Sequence, residues 1–238
     1  LEFRRVLFRS SGSYTDTDNI WKVVKLDDGI VAFTCQDNAV GFFDVESGQL
    51  ISRFTLTEEY HVSMPWNENY SDEAVMNAWD IAVYGEDIYV TTEDGYLFKV
   101  SEEGIIDRYD ISSVDRETFI SRLYENLSWY NAGFKYIQTG ITSWAYMSYR
   151  IADITDDYIL LNCYMGDKDS LTSMDWSSTA AVILIDRSNG EIIFKTALDS
   201  FNMMYEKNCI GEYEGVPCIT VIQNESEGHH VTIREWVL

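Results

Sequence analysis

Short apolar stretches separated by Gly- and Asp-rich turns recur along this chain, and that rhythm constrains the fold more than any other feature. Its clearest instance is Ala181 to Leu198, AVILIDRSNGEIIFKTAL, which reads as a strand, an Asp-x-x-x-Gly turn (Asp186 to Gly190) and a second strand. Val40 to Phe54, VGFFDVESGQLISRF, repeats it with Asp44 and Gly48 in the same places. An Asp side chain bonds turn amides, and a following Gly takes the left-handed conformation without a Cβ penalty, so each unit predicts a β-hairpin.

With this hairpin as a ruler, the chain divides into four sheets. The first has strands at Trp21–Leu26, Ile30–Cys35, Ala39–Asp44 and Gln49–Leu56. The second has Trp79–Tyr84, Asp87–Thr92, Tyr96–Val100 and Ile105–Ile111, with Val100 in the place of Asp44 and Gly104 in that of Gly48. The third has Trp144–Ile154, Tyr158–Tyr164, Thr179–Asp186 and Glu191–Leu198, its middle turn enlarged into a polar loop over Met165–Ser178. The fourth has Lys207–Tyr213, Val216–Gln223 and His229–Trp236 and stops short of a fourth strand. Short turns between consecutive strands give antiparallel meanders. A four-strand meander repeated about every fifty residues is the pattern of a β-propeller blade. The expected fold is therefore all-β: a partial β-propeller of about four four-stranded antiparallel blades, the last incomplete, with one helical insert. A β-sandwich or a twisted solenoid is built from the same meanders, because strand pattern alone does not fix how sheets stack.

The hairpins FFDVESGQLI and LIDRSNGEII resemble the pyrroloquinoline-quinone-type repeat of bacterial propellers, and are similar to outer-strand hairpins of WD-repeat proteins. The resemblance implies a propeller with a binding role. The Trp that usually follows the Gly of the quinone-type repeat is absent, Phe54 and Phe194 being the nearest aromatics, and no residue matches a quinone ligand, so no cofactor is expected. On this reading 11–19 is a linker and 20–238 a propeller fragment. Its blades lie near 20–56, 79–111, 144–198 and 207–238, with inserts over 57–78 and 112–143.

The first ten residues, LEFRRVLFRS, read as the translation of a common sequencing-library adapter and are set aside, as a tag would be. That reading implies native sequence upstream, carrying the remainder of the propeller. The formal net charge of -23 disfavours nucleic acid and anionic membranes, whose phosphates meet a repelling field, and leaves cationic or neutral partners open. No apolar run reaches the roughly 18 residues needed to span a bilayer, so direct membrane insertion is not expected. The acidic, aromatic-rich composition and the quinone-type hairpins favour an extracytoplasmic or cell-surface bacterial setting.

Function is expected in the connections between sheets. Thr57 to Ala78 carries Tyr60, His61 and Trp66, Ser112 to Ser143 carries Trp129 and Tyr130, and Asp199 to Glu206 carries Tyr205. These six form the expected ligand-binding set, since aromatic rings supply large contact area at low entropic cost and their polar tips bond sugars or peptides. The competing reading makes the same rings small cores of the inserts. Within the second connection a helix is expected, capped by Ser113, with Asp115 and Glu117 in its first turn and Phe119, Leu123 and Leu127 on one face.

Catalytic and metal motifs are not found: there is no G-x-S-x-G elbow, Gly-rich phosphate loop or H-E-x-x-H pair. The segment GDKDSLTSMD holds Asp167, Asp169 and Asp175, but Leu171 occupies a ligand position of a calcium loop and no Glu closes it. His229 and His230 are neighbours on a strand and point to opposite faces, so a metal role for His230 with Glu225 or Glu227 is the minor reading. Cys35 and Cys163 read as core residues, while Cys209 and Cys218 flank a hairpin whose register decides whether they face each other. The expected function is a non-catalytic binding or interaction module for a protein, peptide or glycan. The alternative is a quinoprotein-like oxidoreductase or propeller hydrolase whose catalytic parts lie in the missing N-terminal region.

Overall fold

Short apolar runs bounded by turn residues form strands in the computed structural model, which describes residues 20–26, 29–35, 38–57, 60–61, 73–74, 78–92, 95–112, 145–166, 178–201, 208–225 and 230–238. The chain divides into two compact units, Leu1–Asp110 and Ile111–Leu238. In the first, β1 (Ile20–Lys25), β2 (Ile30–Cys35), β3 (Ala39–Asp44) and β4 (Gln49–Thr55) form one antiparallel meander. After the two-residue strands β5 (Tyr60–His61) and β6 (Glu73–Ala74) comes a second meander of β7 (Ala78–Tyr84), β8 (Asp87–Thr92), β9 (Tyr96–Ser101) and β10 (Gly104–Asp110). The second unit holds a sheet of β11 (Ala145–Ile154), β12 (Tyr158–Gly166), β13 (Ser178–Asp186) and β14 (Ile192–Phe201). A three-stranded sheet of β15 (Asn208–Tyr213), β16 (Val216–Glu225) and β17 (His230–Val237) completes it. The fold is all-β, and each of the three four-stranded sheets has the consecutive strand order of a propeller blade. The expected helix after Ser113 and the acidic loop GDKDSLTSMD lie outside the described residues.

Each unit packs two sheets through an apolar layer. In the first, Ala32, Val40, Phe42 and Leu56 meet Ala78, Ile81, Ile88, Val90, Phe98 and Val100, with β7 lying against β1 and β2. In the second, Leu160, Val182 and Leu184 meet Ile219 and Val221, and Phe194 rests on Trp236 with ring centroids 6.0 Å apart. Burying each large apolar side chain contributes about 1.5–3 kcal/mol, so these layers dominate sheet pairing. The opposite faces are buried as well. Val31, Phe33, Cys35 and Phe43 form a second cluster on the first sheet, and Tyr89 and Leu97 are almost fully buried on the second. Gly41 stands opposite Phe33 across the β2–β3 pair, and the Phe33 ring occupies the space a Cβ at 41 would need.

The Asp-x-x-x-Gly turns form as their chemistry dictates. The Glu46 amide donates to Asp44 Oδ1 at 2.8 Å, the Ser47 hydroxyl to Asp44 Oδ2 at 2.7 Å, and Gly48 closes the loop with φ 71°. Around Asp186, the Ser188 amide and hydroxyl donate at 2.8 and 2.6 Å, and Gly190 has φ 76°. The second sheet corrects one expectation: Ser101, not Val100, stands in the place of Asp44. Val100 is buried and pairs with Ile105, whereas Ser101 pairs with Gly104 across a shorter turn, and its hydroxyl accepts the Glu103 amide at 3.2 Å. Beyond each of these turns the fourth strand carries one unpaired extra residue. Pairing passes over Ile51 in β4, Ile106 in β10 and Ile193 in β14, and those side chains are 42%, 53% and 46% exposed.

The register also answers the cysteine question. Cys209 pairs with Thr220 and Cys218 with Gly211, which puts both thiols on one face of the hairpin, two residues out of step, and both are free. Diagonal neighbours in a sheet lie about 7–8 Å apart, too far for the roughly 3.5–4.5 Å between the Cβ atoms of a disulfide. Cys163 is fully enclosed, and loss of solvation pushes its thiol up to about 12. It is a core residue, not a nucleophile.

Candidate functional site

Of the six aromatic and imidazole residues expected to bind, Tyr60 and His61 form β5, which pairs antiparallel with β6 through Tyr60↔Ala74 and His61↔Glu73. Trp66, Trp129, Tyr130 and Tyr205 lie outside the described residues. The strand β17 begins at His230, opposite Glu225 in the backbone register. Among the described residues no group of three or more His, Cys, Asp or Glu is arranged to hold a metal ion. Among the described residues no helix is long and apolar enough to cross a membrane.

The described residues assemble a different constellation, on the first strands of the first unit's two sheets. In β1, Ile20 pairs with Cys35 and Lys22 with Thr34, leaving Trp21 as an extra residue. In β7 the same irregularity recurs at the same register: Ala78 pairs with Thr92 and Asp80 with Thr91, leaving Trp79 extra. A β-bulge of this kind bends the strand and re-aims the side chains beside it. Here both consecutive residues of each bulge reach the neighbouring strand. The rings of Trp21 and Trp79 lie 5.2 Å apart, tilted by 37°, and Lys22 Nζ donates to Asp80 Oδ1 at 2.5 Å. Exposure is unequal: Asp80 is buried at 5%, whereas Trp21 is 43% exposed and the Lys22 side chain 42%.

The fifth residue of the second strand is polar in all four main sheets. Thr34, Thr91, Asn162 and Thr220 occupy the fifth place of β2, β8, β12 and β16, opposite Lys22, Asp80, Arg150 and Cys209. In the second unit the side-chain Nδ2 of Asn208 in β15 donates to Asn162 Oδ1 at 2.7 Å, and the Ile210 backbone amide donates to Asp153 Oδ2 at 2.8 Å. A carboxylate thus joins the neighbouring first strands in both units, Asp80 of β7 to Lys22 of β1 and Asp153 of β11 to Ile210 of β15, while the Asn pair joins β15 to β12. Sequence reasoning passed over the seam, yet a signal exists: in the sequence, Trp begins the stretches expected as first strands of three sheets, at Trp21, Trp79 and Trp144, twice followed directly by a charged residue. Chemically, Trp21 places a partly exposed indole against a second one, next to an ammonium paired with a buried carboxylate.

These sheets define the class as an all-β protein of blade-like antiparallel meanders. The WD40 domain of Toxoplasma gondii coronin is similar, at 10% identity and a TM-score of 0.46, over 92% of this chain and 46% of that one. The quinohemoprotein alcohol dehydrogenase ADHIIG of Pseudomonas putida HK5 is similar at 12% identity and a TM-score of 0.47, over 85% of this chain and 31% of that one. The β-propeller domain of Myceliophteria thermophila Cps50 (Swd1) is similar at 9% identity and a TM-score of 0.42, over 93% of this chain and 55% of that one. The chain spans about half the length of the coronin and Cps50 chains and about a third of the alcohol dehydrogenase chain. No protein-family model and no curated protein matches the sequence.

Proposed function

We propose that the chain is a non-catalytic binding module that holds a protein, peptide or glycan through the aromatic connections between its sheets. The observation that supports this reading is burial. The middle strands use both faces for packing, as with Val31, Ala32, Phe33, Thr34 and Cys35 of β2 and Ile88 to Thr92 of β8. Side chains spent on a core are not available for recognition, and a rigid scaffold with consumed faces recognises partners through its edges and connections. Tyr60, His61, Trp66, Trp129, Tyr130 and Tyr205 stand in those connections. The net charge of -23 favours cationic or neutral partners over nucleic acid.

The test is a binding screen of basic peptides and neutral glycans against the whole chain and a Trp66→Ala, Trp129→Ala double variant. Loss of binding with an unchanged thermal midpoint is expected. A variant that no longer folds would instead make these rings insert cores. Stoichiometric uptake of pyrroloquinoline quinone with calcium, accompanied by dehydrogenase activity, would replace the module by an oxidoreductase.

A further inference from the structure

We propose that Trp21, backed by Trp79 and flanked by the Lys22–Asp80 pair, is a binding subsite for a neutral hexopyranose of a glycan. A pyranose ring presents an apolar C–H face and a rim of hydroxyls, so it needs a flat π-surface and charged or polar groups beside it. Trp21 supplies the surface: the residue is 43% exposed, and its ring centroid lies 5.2 Å from that of Trp79, so it is placed before a ligand arrives. Lys22 supplies the rim partner, and buried Asp80 holds it in place. The ammonium, 2.5 Å from Asp80 Oδ1 and with 42% of its side chain exposed, donates to a sugar hydroxyl while remaining anchored by the carboxylate. Bulges at identical registers put these four groups on one seam, since without the extra residue Trp21 and Lys22 would alternate to opposite faces.

The same groups set the charge of the ligand. A cation stacked on the indole would face the Lys22 ammonium, which already occupies Asp80. A polyanion would have to approach a chain carrying -23. A neutral sugar avoids both penalties. This inference rests on the binding-module reading but locates recognition on a different surface from the connections.

The experiment titrates the whole chain with malto-, cello- and manno-oligosaccharides, reading tryptophan fluorescence and heat. Expected are saturable binding to at least one of them, a shift in Trp emission, and at least an about tenfold weaker affinity in Trp21→Ala. Lys22→Met should weaken binding less, and Trp21→Phe should retain part of it. If Trp21→Ala does not fold, those two milder variants carry the test, and binding indifferent to both overturns the site. Binding of no neutral oligosaccharide overturns the proposal, as does a preference for tetramethylammonium or polygalacturonate. Sugar binding that survives Trp21→Ala but is lost in the Trp66→Ala, Trp129→Ala variant overturns this subsite and leaves the module reading standing.

Discussion

Asp44 and Asp186 lie on exposed turns, yet both carboxyls are held below their ordinary value of 3.8. For Asp44 the cause is first the Ser47 hydroxyl and then the Ser47 and Glu46 amides, and for Asp186 the Ser188 hydroxyl and amide. A depressed folded-state value means that these turns help stability above the unfolded value, and that the help is lost as pH falls through the lower folded value. A carboxyl-resolved NMR titration should give midpoints below 3.8 for both residues. Ser47→Ala should move Asp44 upward and leave Asp186 in place; equal movement of both, or of neither, would contradict the turn assignment. Ser101 makes the equivalent bond with a hydroxyl, so the third turn of this kind keeps its contact through the whole range. Counting four residues back from Gly104 lands on Val100, because the count assumes a turn of fixed length. The β9–β10 turn is shorter, and the bonding residue moves by one.

The β2–β3 pair tests how tightly a sheet of this chain is built. Phe33 is fully buried and lies over Gly41, so Gly41→Ala forces the ring into a packed layer. Overpacking of this kind costs about 1–3 kcal/mol. Denaturant unfolding should show that loss, and the Phe33→Leu, Gly41→Ala pair should lose less than the sum of the two single changes; strict additivity would refute the contact. The strands themselves were legible in the sequence. Ile30–Cys35, Ala39–Asp44 and Asp87–Thr92 form over the expected residues, because a short β-prone run and the turn residues that bound it agree there. The bulges were not legible. Leu50-Ile51 and Ile105-Ile106 read as continuous strand, and only cross-strand pairing shows which residue is extra. The seam was hidden for the same reason, since Trp21 and Trp79 suit the start of a β-strand by propensity and nothing local announces that they meet.

For the whole molecule the dominant long-range term is charge. A chain with -23 repels itself, and at about 0.01 M salt the screening length of roughly 30 Å spans a domain, falling to about 8 Å at 0.15 M. The thermal midpoint at pH 7 should therefore rise between those salt concentrations, and the rise should shrink towards the isoelectric point near 4.2. A midpoint insensitive to salt at pH 7 would mean that the charges are already compensated locally. The unpaired isoleucines of the fourth strands bear on a different question. Ile51, Ile106 and Ile193 are exposed on sheet edges, where a flat apolar strand ordinarily recruits another chain. The extra residue twists each edge away from the geometry a new strand would need. A sheet finished in this way does not widen strand by strand. The outer strands β4, β10 and β14 therefore close their sheets instead of offering them for extension.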